Sequence, residues 1–385
     1  MALDRETLDQ LIDAVRRFVD SRLVPLEEQV AEQDRIPDEI VDEMRELGLF
    51  GLTIPEEYGG LGLTTEEECL VVLELGRTSP AFRSVIGTNN GIGSQGLVMD
   101  GTEEQKAHYL PKLATGEIIG SFALTEPDAG SDSAAVQTKA VKDGDDFSLS
   151  GTKRYITNAT SAHLFTVFAR TNPDEKGSRG VSAFLVDADT PGIELGNPYK
   201  KMGQQGAHVC DVIFDACRVP AANIIGGPDR INQGFGTAMK TLDRGRIHIA
   251  ALAVGCARRL IDMSLTYALE RKQFGKPIAE FQLVQAMLAD SQTECFAAES
   301  MVLETARRRD AGEAVNMLAS SCKLFATEMV GRVADRAVQI HGGAGYIEEY
   351  AVARFYRDVR LFRIYEGTSE IQKTIIARNL IRNAS

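Results

Sequence analysis

Apolar positions in the first hundred residues recur at the spacing of amphipathic helices. Leu8, Leu11, Ile12, Val15 and Val19 lie three, four and seven apart, and Ile40, Met44 and Leu47 repeat the pattern until Gly48 stops it. Pro55, Tyr58-Gly59-Gly60 and Gly62 mark a loop, and residues 66–76 and 102–114 read as further helices. From Ser121 to about Gly236 the period changes. Short runs rich in Val, Phe, Ile and Thr (Phe147 to Leu149, Leu164 to Ala169, Val181 to Val186, Val209 to Phe214) alternate with Asp-Gly, Asn-Pro and glycine punctuation, the texture of a small β-barrel or sandwich. Residues 172–180 read as a polar surface loop. From Gln233 onward the helical period returns, with Leu252, Cys256, Leu260 and Met263 on one face and Val330, Val333, Ala337 and Ile340 on another. Residues 284–303 make a third long helix, and such stripes must cover one another in a bundle. The expected α+β chain has a helical domain over 1–120, a β-domain over 121–232 and a helical bundle over 233–385.

The chain has 385 residues, 44% hydrophobic and 25% charged, enough for a sizeable core in two or three domains. Lys plus Arg is 42 against 55 Asp plus Glu, a formal charge of −13. That field repels phosphate backbones, which disfavours nucleic acid and anionic membranes as partners. No apolar run approaches the roughly 18 residues of a membrane span, so no integral membrane association is expected. Cys69, Cys210, Cys217, Cys256, Cys295 and Cys322 are scattered, with no CxxC pair and no histidine at metal-ligand spacing. This argues against a disulfide framework or a metal site and for a reducing compartment; with no apolar leader at the N-terminus, the expected address is cytoplasmic.

Four segments carry candidate chemistry. Phe122 to Asp132 (FALTEPDAGSD) crosses the α-to-β junction, where a Gly-Ser step offers N–H and hydroxyl donors to carbonyl or phosphate oxygens; an ordinary capped loop uses the same residues. In a strand, Tyr155 and Thr157 of KRYITN share a face, an aromatic plate beside a hydroxyl that suits a flat heterocycle, though both are common strand formers. Asp243-Arg244-Gly245-Arg246, and later Arg271 to Gly275, supply arginine forks for phosphate or carboxylate; solvated helix faces carry them too. Gln339 to Tyr346 places three glycines in four positions at a helix end. In Tyr365-Glu366-Gly367-Thr368-Ser369-Glu370, Glu366 follows Leu361, Phe362 and Ile364. Apolar surroundings would raise its pKa by desolvation, as suits a general base, against the simpler reading of a helix-capping glutamate.

Over nearly its whole length the sequence resembles the acyl-CoA dehydrogenases. Leu124 to Asp132 is similar to that family's first signature, and Gln339 to Gly345 with Tyr365 to Gln372 to its C-terminal one. The resemblance implies an N-terminal helical domain, a middle β-domain and a C-terminal four-helix bundle, assembled as a homotetramer (a dimer of dimers). It implies FAD between β-domain and bundle, with the adenine end completed by a neighbouring subunit. By motif, Phe122, Leu124, Thr125 and Ser131 line the flavin and the adjoining thioester. Tyr155 stands where many members have Trp, a residue this chain lacks, and Thr157 bonds near flavin N5. Arg271, Gln273, Phe274 and Gln282, completed by Gln339, Gly342, Gly343, Thr368 and Glu370, hold the dinucleotide. Asp243 and Arg246 contact the CoA portion, and Tyr365 belongs with the substrate site.

The implied reaction is α,β-dehydrogenation of an acyl-CoA thioester to the trans-2-enoyl-CoA. Glu366 removes the α-proton, the β-hydrogen leaves as hydride to flavin N5, and electrons pass to an electron-transfer flavoprotein. The thioester carbonyl accepts from the backbone N–H of Glu366 and a ribityl hydroxyl, which stabilises the developing enolate. Two departures stand out. Gln205 and Ala207 occupy places where Arg and Ser are common. Gly245 falls where long-chain and isovaleryl-type members carry the base, which leaves that role to Glu366. Arg83-Ser84 is similar to a pair that meets the distal carboxylate in glutaryl-CoA dehydrogenases, and implies a dicarboxylyl substrate; a surface helix would also hold Arg83. Two other classes stay open: a flavin oxidase of the same fold, disfavoured because nitroalkane oxidases carry Asp where Glu366 stands and acyl-CoA oxidases are generally longer than 385 residues, and a non-catalytic CoA-binding protein.

Overall fold

The computed structural model describes residues 2–384. Seven α-helices precede the first strand: α1 Arg5–Phe18, α2 Glu27–Gln33, α3 Asp38–Glu46, α4 Thr65–Leu75, α5 Pro80–Asn90, α6 Gln95–Asp100 and α7 Glu103–Thr115. Their starts follow from local chemistry. The Asp4 carboxylate accepts from the Thr7 N–H, while Thr64 with Glu67 and Thr102 with Gln105 form capping boxes that satisfy the orphan donors of α4 and α7. Pro80 opens α5 behind Ser79. The sequence pattern delimits neither α5 nor α6, beyond the reading that set Arg83 on a surface helix. All of α5 except Val85 is buried, so it has no polar face to set against an apolar one and no amphipathic period to read.

A seven-stranded sheet follows: β1 Gly120–Ala123, β2 Lys139–Asp143, β3 Asp146–Thr157, β4 Leu164–Arg170, β5 Val181–Asp187, β6 Ile193–Leu195 and β7 Val209–Pro220. The order is β1-β4-β2-β3-β7-β6 with β5 also on β4. β1 runs parallel to β4, and the long β3–β7 pair is antiparallel. The β3–β7 register shifts between Lys153 and Ile156, and Tyr155 takes φ +57 there, so a bulge rather than flat pleating aims this part of the strand.

Beyond the sheet come α8 Gly234–Glu270, a hairpin of β8 Lys272–Gln273 and β9 Lys276–Pro277, then α9 Gln282–Asp310, α10 Asn316–His341, α11 Ala351–Asp358 and α12 Ser369–Ala384. α8, α9, α10 and α12 form the bundle. Leu252, Cys256 and Leu260 meet Val330, Val333 and Ala337 in its core, with Met263 at the margin. α8 also packs on α4 and β5, so a single helix ties the three regions together around the site. Parts of the bundle's outer face remain apolar: Leu283 is 82% and Phe296 67% exposed. All six cysteines are free and buried, and no described helix is long and apolar enough to cross a membrane.

Candidate active site

Where the sheet, α5, α8 and the segment before α12 converge, they enclose a cavity of about 760 Å³. Phe122, Leu124 and Thr125 line it from β1 and the loop beyond, and Ser131 stands at its exposed margin. Tyr155 and Thr157 come from β3, Arg83 from α5, Arg246 from α8, and Tyr365 and Glu366 from the turn before α12.

The loop after β1 is fixed from beneath. The Glu126 carboxylate accepts from the Gln137 and Thr138 backbone N–H groups at 2.6 and 2.9 Å and from Lys153 Nζ at 2.7 Å. Lys153 is fully buried and also donates to the Leu124 and Phe168 carbonyls at 3.1 and 2.6 Å. This pair anchors the wall that carries Leu124 and Thr125. In the FALTEPDAGSD motif, Glu126 is therefore structural rather than a ligand group.

Glu366 has φ +52 and Gly367 φ +90, so the turn lies outside right-handed helical geometry, and Glu366 does not cap α12: Thr368 Oγ1 takes that place by accepting from the Ile371 N–H. Lys323 Nζ on α10 donates to the Gly367 carbonyl at 2.7 Å, and Gln372 Nε2 donates to the carbonyls of Glu366 and Gly367 at 3.2 and 3.0 Å. Across the cavity, a Cβ built on Gly245 would run into Glu366 Oε2; the glycine leaves the space the carboxylate occupies. Oε2 is buried without a hydrogen-bond partner among the described residues. No acceptor among those residues takes the Glu366 backbone N–H either. Desolvation raises the Glu366 pKa above the ordinary carboxylate value, with Arg83, Lys323 and Arg246 pulling the other way. Burial pushes Lys323 down to about 8.

Two of the plainer sequence readings are corrected here. Arg83 is not a surface helix residue: it is buried, lines the cavity and donates through Nε to His248 Nε2 at 2.6 Å. Nor do Arg244 and Arg246 sit on a solvated face. Arg244 binds the Glu68 carboxylate at 2.9 Å, and buried Arg246 pairs with Asp243, which also accepts from Asn316 Nδ2 at 2.8 Å. Asp243 thus stands behind the wall, holding Arg246 at it.

The chain does not bring the remaining expected residues to this cavity. Arg271, Gln273, Phe274 and Gln282 are exposed around the β8–β9 hairpin, Phe274 at 92%, and Gln339, Gly342 and Gly343 are exposed at the end of α10. Tyr267 and His341 stack at 4.3 Å, so the C-terminal ends of α8 and α10 share one end of the bundle. Gly245 lies 25 residues before the end of α8, roughly 38 Å along the axis. Thr368 and Glu370 begin α12 beside the Glu366 turn, where Thr368 Oγ1 accepts from the Ile371 N–H at 3.3 Å. Sequence reasoning missed Glu68, His248 and Lys323. Their partners lie tens to hundreds of residues away and no local motif marks them.

The donor set has the chemistry of a site for a flat heterocycle with a carboxylate facing it: an aromatic side chain, a hydroxyl, apolar walls and one buried, unpartnered carboxyl oxygen. Among the described residues no cluster of His, Cys, Asp or Glu could hold a metal ion.

Comparison with known proteins adds to the geometry. Models of the acyl-CoA dehydrogenase N-terminal, middle and C-terminal domains match residues 5–117, 121–217 and 232–381. The chain is 44% identical over 370 residues to "Probable acyl-CoA dehydrogenase YngJ" of Bacillus subtilis (strain 168), covering 96% of this chain and 97% of that protein. It superposes on butyryl-CoA dehydrogenase from Megasphaera elsdenii with a TM-score of 0.94 at 34% identity, covering 99% of each chain. On the glutaryl-coenzyme A dehydrogenase glutaryl-CoA complex the TM-score is 0.92 at 36% identity, covering 99% of this chain and 96% of that one.

Proposed function

The chain belongs to the acyl-CoA dehydrogenase family, FAD-dependent oxidoreductases acting on acyl-CoA, and from that premise we propose that Glu366 is the base that removes the α-proton of a bound thioester. The observation that carries this reading is the buried Oε2 of Glu366, without a partner among the described residues and at the wall of a cavity of about 760 Å³. Desolvation makes this carboxylate a stronger base than one in water, and its α-proton target becomes acidic enough only if the thioester carbonyl is polarised. The Glu366 N–H, which has no acceptor within the described chain, supplies one such donor. Lys323 and Gln372 hold the two carbonyls of the turn and so keep carboxylate and N–H in fixed relation.

Phe122, Leu124, Thr125, Tyr155 and Thr157 would hold the isoalloxazine end of FAD, which when bound supplies the hydride acceptor. Apolar walls exclude water and strengthen the electrostatics of the pocket. Arg246, held by Asp243, stands ready for a polar part of the CoA thioester. Electrons would leave to an electron-transfer flavoprotein, and Glu rather than Asp at position 366 speaks against chemistry of the nitroalkane-oxidase kind. Six reduced thiols fit a cytoplasmic setting.

The distance between the two ends of the bundle supports a shared site. Arg271, Gln273, Phe274, Gln282, Gln339, Gly342 and Gly343 are too far from Glu366 to close on the same pocket, and would complete the cofactor of a second copy. Exposed Leu283, Phe296 and Phe274 give that copy an apolar surface to cover, in keeping with a homotetramer.

Arg83 favours a finer reading of the substrate. A buried guanidinium on the cavity wall, with no ion pair among the described residues, calls for an anion from the ligand, as a dicarboxylyl-CoA would provide. A panel of CoA thioesters varied in length, branching and terminal charge tests both readings. Glu366→Gln should bind FAD yet lose turnover at least ~100-fold with every thioester, and near-normal turnover would remove the base assignment. Arg83→Ala should raise KM for glutaryl-CoA far more than for an uncharged chain; indifference to Arg83→Ala would remove the dicarboxylyl reading alone.

A further inference from the structure

Behind the cavity wall runs a chain of buried polar side chains that proton abstraction does not use. Glu68 lies on α4, Arg83 on α5, and Arg244 and His248 one turn apart on α8. Arg244 donates to Glu68 Oε2 from two nitrogens at 2.9 and 3.1 Å, and His248 Nδ1 lies 2.7 Å from Glu68 Oε1. On its other edge His248 Nε2 lies 2.6 Å from Arg83 Nε. Glu68, Arg83 and His248 are all buried.

This geometry fixes the imidazole. Arginine has no acceptor, so Nε2 must present its lone pair, and the ring proton sits on Nδ1, where Glu68 accepts it. An imidazolium would turn Nε2 into a donor aimed at another donor. Burial, then the charge of Arg83, hold His248 down to about 4 against the pull of Glu68, so the ring is neutral at ordinary pH.

We propose that His248, oriented by Glu68, is a positioning residue that pins the Arg83 guanidinium by its Nε edge, turning it to the acyl cavity and keeping it from pairing with Glu366. The proposal rests on the reading of Glu366 as base. A mobile arginine beside an unpartnered buried carboxylate would settle on it as a forked ion pair, and such a pair weakens the carboxylate as a base. Two constraints prevent this. His248 occupies the Nε–H, and Gly87 lets the guanidinium lie flat against α5: a Cβ there would stand 2.8 Å from Arg83 Cζ and 2.9 Å from Nε. The other charged groups do not substitute for the pin. Glu68 from α4 and Arg244 from α8 face His248, while Lys323 from α10 and Arg246 from α8 face Glu366.

The test is the pH profile of kcat/KM for FAD-loaded enzyme, measured with an uncharged acyl-CoA so that Arg83 has no ligand role. His248→Met fills the ring's volume without a good acceptor, His248→Ala empties it, and either variant that retains FAD reads the outcome. His248→Gln keeps an acceptor for Arg83 and a donor for Glu68. The Met and Ala variants should move the acidic limb down by about one pH unit as Arg83 swings onto Glu366. His248→Gln should restore the parent limb, and His248→Met added to Arg83→Ala, which by itself raises the limb, should move it no further. A parent-like limb in His248→Met or His248→Ala, or a downward shift that His248→Met still adds to Arg83→Ala, overturns the positioning role. Full activity of Glu366→Gln would instead overturn the base assignment, so the two failures are distinct.

Discussion

Gly245 and Glu366 compete for one space: the carboxylate before α12 lies where a side chain on α8 would begin. The absence of that side chain is what allows the C-terminal acid to reach the cavity. Gly245→Ala should leave the helix intact, since alanine is the better helix former, while displacing the carboxylate. Misplacement of a reacting group by about 1 Å costs on the order of 100-fold in rate. Turnover should fall by that order with FAD absorbance unchanged; unchanged turnover would mean that Glu366 is not where the chemistry happens.

The pH dependence has a definite sign. Glu366 acts as a base only when ionised, and burial lifts its folded pKa above the ordinary glutamate value of 4.5. Activity should therefore decline as pH falls through a point above 4.5, and an acidic limb at or below that value would contradict the desolvated site. The kcat/KM profile, which reports the free enzyme, is the measurement to use.

Lys153→Met leaves the buried Glu126 carboxylate without its cation. Removing one partner of a buried pair costs about 3–5 kcal/mol, so denaturant unfolding should shift markedly. Glu126→Gln with Lys153→Met should recover part of the loss, because no charge is then stranded. A single variant as stable as the parent would show that the pair does not anchor the wall.

Phe296→Asp and Leu283→Asp each place charge at an exposed apolar position of α9. Both positions are open to solvent in the single chain, so folding of that chain should not suffer. Sedimentation should report a smaller assembly than the parent's, and a parent-sized assembly would mean that these positions are not covered by another copy.

The bundle was legible in α10 because Val330, Val333 and Ala337 face the core while Arg332 and Asp335 stay exposed; α8, by contrast, is buried on every side from Gly245 to Ala257, and only beyond it do intermediate Arg258 and Arg259 set off Leu260. The β4 and β5 runs were legible for the opposite reason: strands buried on both faces read as unbroken apolar stretches. α5 has no such contrast, and β1 is four residues long. At the site, Glu366 and Gly245 were readable by motif. The Arg83–His248–Glu68 chain was not, since it joins positions 165 and 180 residues apart and only the packing of α4, α5 and α8 brings them together.

The bundle presents its acid at one end and its Arg271 and Gly343 groups at the other, so damage at the two ends need not be fatal together. If each cofactor is held between two copies, a Glu366→Gln chain still lends its intact far end to a neighbour. A chain altered at Arg271 and Gly343 keeps its own acid. Mixed assemblies of these two inactive proteins would then contain some sites with every part in place, and activity would reappear on co-refolding.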